Sequence, residues 1–346
     1  MKQRPFTASS FATQIAIAAT VVLLVMALSP GVGSQPIGVI DAWRSLGDRE
    51  STTYYIAFQI RLPRTVRALL AGASLSLTGA VFQTVFRNVL ATPYTLGIAS
   101  GGSLGALLAI KLGAGVLLGL PGVMWCAFAG CSGVVGLVFL LAMVYRLSGN
   151  SLVLAGVTIG LFCSAMIMFV TYLSDVRETF TVVRWMMGNL EAVGYGHLWR
   201  VAPIIFVSWG VLLWFARPLN QLALGDELAA SRGVRPAVVQ VVCIGVGSLT
   251  TACVVSLCGP IGFVGLIVPH AARLIIGGDH RILLPAVALW GGAFLVVCDW
   301  LTRLAPHWYG VMVSGEYTAA SLPIGVMTAL IGAPMFLVLL RGWRRT

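Results

Sequence analysis

The sequence predicts an all-α polytopic membrane protein of about ten transmembrane helices, with residues 1–346 forming a single transmembrane domain. Three observations carry this. Hydrophobic residues make up 58% of the chain and charged residues only 10%, a balance unlike that of a water-soluble domain. The apolar residues gather into runs near the length that a bilayer core demands, about 20 residues of helix each. Glycine (40) and proline (15) fall within those runs as well as between them, as they do in membrane helices, where small residues let backbones approach.

The runs are 11–29, 66–86, 94–112, 117–144, 152–173, 201–216, 237–257, 259–276, 282–302 and 322–341. The first follows a basic start, Lys2 and Arg4, and lacks a small-residue cleavage site near Ser29-Pro30, so it reads as a retained span. From Pro30 to Gln59 the chain is polar, with Asp41, Asp48 and Glu50 among Trp43, Tyr54 and Tyr55; an outer loop along the headgroup zone is expected. The second span opens on Arg61, Arg64 and Arg67. Positive charge at an outer mouth runs against the positive-inside tendency, and lipid headgroups or an acidic partner would account for it.

An inner turn, Arg87 to Pro93, leads into the glycines of GIASGGSLGA. The turn Ser148-Gly149-Asn150-Ser151 joins the fourth and fifth spans, and Phe162, Met166, Met168 and Phe169 give the fifth a soft apolar wall. VVRWMMGNLEAVGYGHLW then reads as an amphipathic outer segment, with Trp185, Tyr195 and Trp199 suited to the interface. Leu219 to Pro236, LNQLALGDELAASRGVRP, is the longest polar stretch on the inner side; Gly225 and the pair Asp226-Glu227 divide it into short surface helices. In the eighth span Gly259, Gly262 and Gly265 recur every third residue, which predicts one bared helix side for close packing. Pro269 is expected to bend or interrupt it before His270 and Arg273. Asp299 stands one helical turn before Arg303 and is placed to hold it. Lys and Arg divide almost evenly between the two sides when both termini are set inside.

What is missing narrows the function. The two lysines, Lys2 and Lys111, do not follow glycine, so there is no GK[ST] phosphate loop. HExxH is absent, the histidines His197, His270, His280 and His307 lie far apart, and the seven cysteines form no CxxC; a zinc or protease site is not expected, and the thiols read as inert core. With so many spans, the net charge of +11 belongs to membrane edges and lipid, not nucleic acid. An ion-coupled secondary transporter would place carboxylates near the midplane, whereas only Asp299 falls inside a span, near its end.

Several strings together resemble one family. GPIGFVGLIVPHAARLIIGGDHRILLP (259–285), RLPR with the following span (61–106), LALGDELAASRGV (222–234) and LPIGVMTALIGAPMFLVLL (322–340) are similar to the FecCD-type permeases of type II ABC importers, which carry iron-siderophore complexes, haem or vitamin B12. The match covers residues 55 to 342. It implies the type II ABC importer permease fold and a non-enzymatic transport subunit that binds no cofactor itself, ATP and Mg being held by a separate ATPase. It implies as partners a second permease copy forming a homodimer, two ATPase subunits and a periplasmic or lipid-anchored solute-binding protein. The implied place is the bacterial cytoplasmic (inner) membrane, with both termini cytoplasmic. An iron chelate, siderophore or haem, is the expected cargo, with cobalamin as the alternative. By the same resemblance Arg61, Arg64 and Arg303 would receive the binding protein. Asn88, Leu90, Gly149 and Asn150 would form the cytoplasmic gate, with Val89 and Thr92 departing from the family's Pro and Asp. Leu224, Gly225, Asp226, Glu227 and Gly233 would couple the chain to the ATPase, Arg232 standing where leucine is usual.

Overall fold

The computed structural model describes residues 8–117, 119–145, 149–191, 193–309 and 321–343. Its helices are α1 (Ala8–Leu28), a short α2 (Val39–Arg44), α3 (Thr52–Val85), α4 (Ile98–Lys111), α5 (Gly122–Tyr145), α6 (Gly149–Tyr172), α7 (Val176–Met186), α8 (Gly196–Trp214), α9 (Ala216–Leu222), α10 (Asp226–Ser231), α11 (Pro236–Cys258), α12 (Val264–Ile276), α13 (His280–Tyr309) and α14 (Ile324–Trp343). All ten expected runs are helical in whole or part. Seven described helices are long and apolar enough to cross a membrane, and three shorter apolar ones, Ile98–Lys111, Val264–Ile276 and Ile324–Val338, stand where the other spans were expected.

Burial ranks the helices. In α3, 94% of the apolar stretch is buried within the protein, against 72% in α11 and 67% in α13, while α1, α5 and α6 bury 17 to 22%. The core is therefore α3 with α11, α12 and α13 around it; α4 packs on α5 and α6, and α1 lies on α13. The outer helices keep apolar faces such as Leu154, Leu161, Phe162, Met168 and Phe169 exposed, as a lipid-facing wall or an interface with another chain requires. At the centre the packing is backbone on backbone: Gly72 of α3 meets Gly291 of α13, and Gly79 meets Gly265 of α12.

Three expectations are corrected. The outer loop was expected to run to Gln59 and the second span to begin at 66, but α3 starts at Thr52 and passes through a wide turn over Tyr55–Arg61. Its 34 residues are ~51 Å long, so its first turns stand beyond the ~30 Å hydrocarbon core. Arginines that end an apolar run in sequence do not end the helix, because the protein itself supplies their partners. Next, the glycine repeat does not line one helix side. Residues 259–263 are not helical; Gly259 closes α11 at φ +68°, Gly262 faces open space, and Gly265 alone of the three packs on α3.

Last, of the bend or interruption expected at Pro269, the interruption is absent: α12 runs on through it. Pro269 cannot donate to the Gly265 carbonyl four residues earlier. Gln83 of α3 replaces that donor, its Nε2 donating to Gly265 O and Leu266 O at 3.3 Å each.

The two short helices α4 and α12 are each preceded by backbone without helix, 86–97 and 259–263. Such backbone survives at membrane depth only where protein satisfies its polar groups. Here the Ile261 N–H donates to Tyr94 Oη at 2.5 Å, and the Ala91 and Gly97 N–H groups donate to Asn88 O and Tyr94 O at 3.0 Å each.

Candidate functional site

The N-terminal part of α3 and the C-terminal part of α13 meet around one carboxylate. Asp299 has an exposure of 0% and accepts from Arg64 Nε at 2.7 Å on one oxygen, while its other oxygen pairs with Arg303. Arg64 also donates to Thr302 Oγ1 at 3.2 Å, and Arg303 to Val32 O at 3.2 Å and Thr65 Oγ1 at 3.3 Å. Arg61 donates to Pro30 O at 2.9 Å and Gln35 O at 2.6 Å. The three expected docking arginines are thus brought together, but not as a row of free surface charges: their exposures are 5% (Arg61), 11% (Arg64 side chain) and 5% (Arg303). They line a cavity of about 260 Å³ shared with Gln35, Ile60, Glu191 and Ser321.

Charge balance there remains positive, since three arginines face Asp299 and Glu191. Partial burial pushes the Glu191 carboxyl up, but hydrogen bonds from Ser321 and Asn189 and the charges of Arg64 and Arg184 outweigh it, so its pKa is lowered and it stays ionised. A concave site with guanidinium groups on its floor suits an inserted carboxylate.

The amphipathic segment expected over 182–199 is not one element: Tyr195 and Trp199 belong to the start of α8, and only 182–186 lie in α7. The first turn of α7 is capped by Asp175, which accepts from the Glu178 N–H at 2.7 Å. Lys111 at the end of α4 donates to Leu173 O at 2.9 Å and pairs with Glu178 at 3.2 Å, which fastens α7 to α4.

At the opposite end of α3 the expected gate residues separate into described and undescribed parts. Asn88 Oδ1 accepts from the Leu90 N–H at 2.9 Å and Asn88 O from the Ala91 N–H at 3.0 Å, so the turn forms with Val89 in place of proline. Leu90 projects from it, half exposed. Gly149 and Asn150 open α6, and their side chains lie outside the described residues.

The segment expected to couple to the ATPase forms two short helices, α9 and α10, that meet at Gly225. Leu219, Leu222 and Ala229 are fully buried, whereas Leu224 and Leu228 are 44% and 52% exposed, which leaves an apolar edge beside Asp226 and Glu227. Gly225 has φ +128° and Gly233 +81°, regions where other residues are strained. Arg232, the departure from leucine, donates to Gln221 Oε1 at 2.7 Å and so ties α10 to α9.

Sequence reading missed three residues behind this segment. Arg87 pairs with Asp226, and Asn220 and His280 bond to each other. Their signal in the sequence was only that polar side chains stood at helix ends. Asp279, beside them, bonds to Arg281 and to Asn220 Nδ2, and these bonds outweigh its burial and lower its pKa to about 2. A depressed carboxylate pKa gives stability that is full above the unfolded value of about 3.9 and is lost as pH falls toward the folded value. The expected result is that Asp279→Asn and wild type differ in melting temperature at pH 6 and converge between about pH 4 and pH 2, read from melting curves across that range. Parallel curves at all pH values would show that Asp279 contributes nothing by ionisation.

Among the described residues there is no group of three His, Cys, Asp or Glu that could hold a metal. What the arrangement offers is a membrane body with a charged pocket at one end and an apolar-edged ledge at the other. Comparison with known proteins places that body. The chain is 40% identical over 291 residues to the cobalamin import system permease protein BtuC of Halobacterium salinarum, covering 84% of this chain and 74% of that protein. It is 38% identical over 331 residues to the vitamin B12 import system permease protein BtuC of Shigella boydii, covering 93% of each. Among solved structures, a metal-chelate type ABC transporter in an inward-facing conformation superposes with a TM-score of 0.83 at 30% identity, over 96% of this chain and 99% of that one. PsaBC from Streptococcus pneumoniae, at 13% identity and a TM-score of 0.52 over 87% of this chain and 95% of that one, shares the fold. The model of the FecCD transport family matches residues 20–342, and this multi-pass membrane protein, with the type II ABC importer permease fold, belongs to that family.

Proposed function

We propose that this chain is the permease subunit of an ATP-driven importer of cobalamin or a closely related corrinoid. The observation that carries the reading is the 38–40% identity, over 84 to 93% of the chain, to permeases named for cobalamin and vitamin B12 import. The metal-chelate type neighbour fits that cargo and an iron chelate alike, so the relatives favour cobalamin over the iron-siderophore or haem cargo expected from the sequence. In this reading two copies enclose one passage in the cytoplasmic membrane, with both termini inside. Two ATPase subunits seat on residues 219–236 through Leu224, Gly225, Asp226, Glu227 and Gly233. A solute-binding protein presents a carboxylate to the pocket of Arg61, Arg64 and Arg303, and Asn88 and Leu90, with Gly149 and Asn150, narrow the inner end. ATP binding and hydrolysis then rock the halves between outward-open and inward-open states.

The experiment is uptake into liposomes holding the permease with its ATPase, given labelled cyanocobalamin, a ferric siderophore or haem with the cognate binding protein. ATP-dependent accumulation of cobalamin is expected; accumulation of an iron chelate instead would overturn the cargo, and no ATP-dependent uptake of any would overturn the importer reading.

Docking has its own test. Arg64 and Arg303 hold Asp299, so reversing them would disturb the fold as well; Arg61 is bonded to backbone carbonyls alone and is the cleaner probe. Arg61→Glu is expected to weaken binding-protein affinity about tenfold or more, by removing one charge-assisted contact and adding repulsion. Affinity should also fall between 50 and 500 mM salt, concentrations chosen because screening lengths shorten from above to below about 10 Å across them. Salt-independent binding that survives Arg61→Glu would remove the docking role.

A further inference from the structure

Two polar joints lie behind the coupling segment, and both end on the last turn of α3. The first is built on Arg87. There α3 closes with the Asn88 N–H on Gln83 O at 3.1 Å and the Arg87 N–H on Thr84 O at 3.2 Å, a paired helix ending whose left-handed position is most often glycine. Arg87 occupies it at φ +48°, at a cost in backbone strain that glycine would not incur. Its side chain supplies the compensation. Nε and Nη2 donate to Leu222 O at 3.4 and 3.3 Å, and Nη2 pairs with Asp226. Leu222 ends α9 and Asp226 begins α10, so one guanidinium spans the elbow at Gly225.

The second joint is half-buried at Asn220 and buried at His280 and Thr84. Asn220 on α9 accepts at Oδ1 from the His280 backbone N–H at 2.9 Å and lies 2.7 Å from His280 Nδ1, while its Nδ2 donates to Asp279 at 2.8 Å. An amide oxygen has lone pairs only, so Nδ1 carries the hydrogen. In the neutral ring His280 Nε2 is then an acceptor facing the hydroxyl of Thr84 at 2.6 Å, whose one hydrogen it shares with Ala80 O at 2.9 Å. Asn220 is thereby tied through His280 to Thr84, three residues before Arg87.

The gate turn, Asn88 to Leu90, follows Arg87 directly. We propose that the two joints, Arg87–Asp226 and Asn220–His280–Thr84, are the linkage through which displacement of segment 219–236 is carried to the Asn88–Leu90 turn. Arg87 and His280 are positioning residues; they touch neither cargo nor nucleotide. The inference rests on the reading of 219–236 as the ATPase seat; Asp226 belongs to both the seat and the first joint, so the variants are placed at its partners in α3 and not in the segment itself. The apolar edge offered to a partner is made by Leu224 and Leu228, whereas Asn220 bonds inward to α13 and, through His280, to α3.

The test uses the permease with its ATPase in liposomes and two variants outside the seat, Arg87→Gly and Thr84→Val. Glycine suits φ +48° better than arginine, so Arg87→Gly removes the joint without endangering the fold. Cargo moved per ATP hydrolysed is expected to fall about tenfold in Arg87→Gly, within the range of ordinary coupling energies, while the ATPase still copurifies. Hydrogen exchange gives the second readout. In wild type a non-hydrolysable ATP analogue should alter protection of residues 216–231 and of 86–92; in the variants only the first change should persist. Unchanged cargo per ATP in both variants, or an undiminished response at 86–92, would overturn the linkage. So would loss of the ATPase from either variant, since these residues would then belong to the seat. A wild-type complex in which nucleotide leaves 216–231 unaltered would remove the seat itself, and the linkage with it, before any variant is made.

Discussion

Replacing Asp299 with alanine is expected to cost about 3–5 kcal/mol of stability, the range found when one partner of a buried ion pair is deleted. The carboxylate is fully buried and shared by Arg64 and Arg303, so its loss strands two guanidinium groups at once. Those groups would keep bonds to Thr302, Thr65 and Val32 O, which holds the cost within that range. Thermal melting of the purified protein reads it, together with the yield of folded protein from membranes. Asp299→Asn, which keeps an acceptor oxygen for one arginine, should fall between wild type and alanine. If the alanine variant melts with wild type, the arginines reach water and the cluster is not a structural unit.

The second large effect is expected from Gly79→Leu. A Cβ at Gly79 would overlap the backbone of Gly265, and backbone cannot rotate aside as a side chain can. α3 and α12 would have to separate at the point where Gln83 and Arg273 bridge them. A loss at or above the upper end of the usual overpacking cost, about 3 kcal/mol, follows. Gly262→Ala provides the contrast from the same stretch of chain. It faces open space, and yield and melting temperature should stay near wild type. Equal damage from both substitutions would mean that the glycine-rich run matters as a whole and not through the Gly79–Gly265 contact.

Much of the fold was legible because hydropathy alone finds membrane helices: each apolar run is helical in whole or part. Residue patterns read less well where a partner elsewhere in the chain decides the outcome. The start of α3 was set late because Arg61, Arg64 and Arg67 look like an edge, and nothing local reveals that Asp299, 235 residues beyond Arg64, neutralises part of that charge. Pro269 looked like a break because the donor that replaces its missing N–H is Gln83 on another helix. In the candidate site, Asp299 was correctly placed to hold Arg303, one turn away on the same helix. Its bond to Arg64 was not legible. Arg87, Asn220 and His280 escaped for the same reason: each looks like an ordinary helix-end residue until the elbow of α9 and α10 folds against α3.

The non-helical stretch before α12 also bears on how the chain enters its membrane. A helix of 13 residues is ~20 Å long, short of the ~30 Å hydrocarbon core, and the five residues ahead of it carry backbone polar groups that lipid cannot satisfy. Emerging from the ribosome, α12 is therefore a poor candidate for insertion by itself. Its acceptors and donors, Tyr94, Gln83 and the backbone beside Gly79, have by then already been synthesised on the N-terminal side. Stable placement of this segment in a bilayer thus depends on its contacts with α3 and the 86–97 loop.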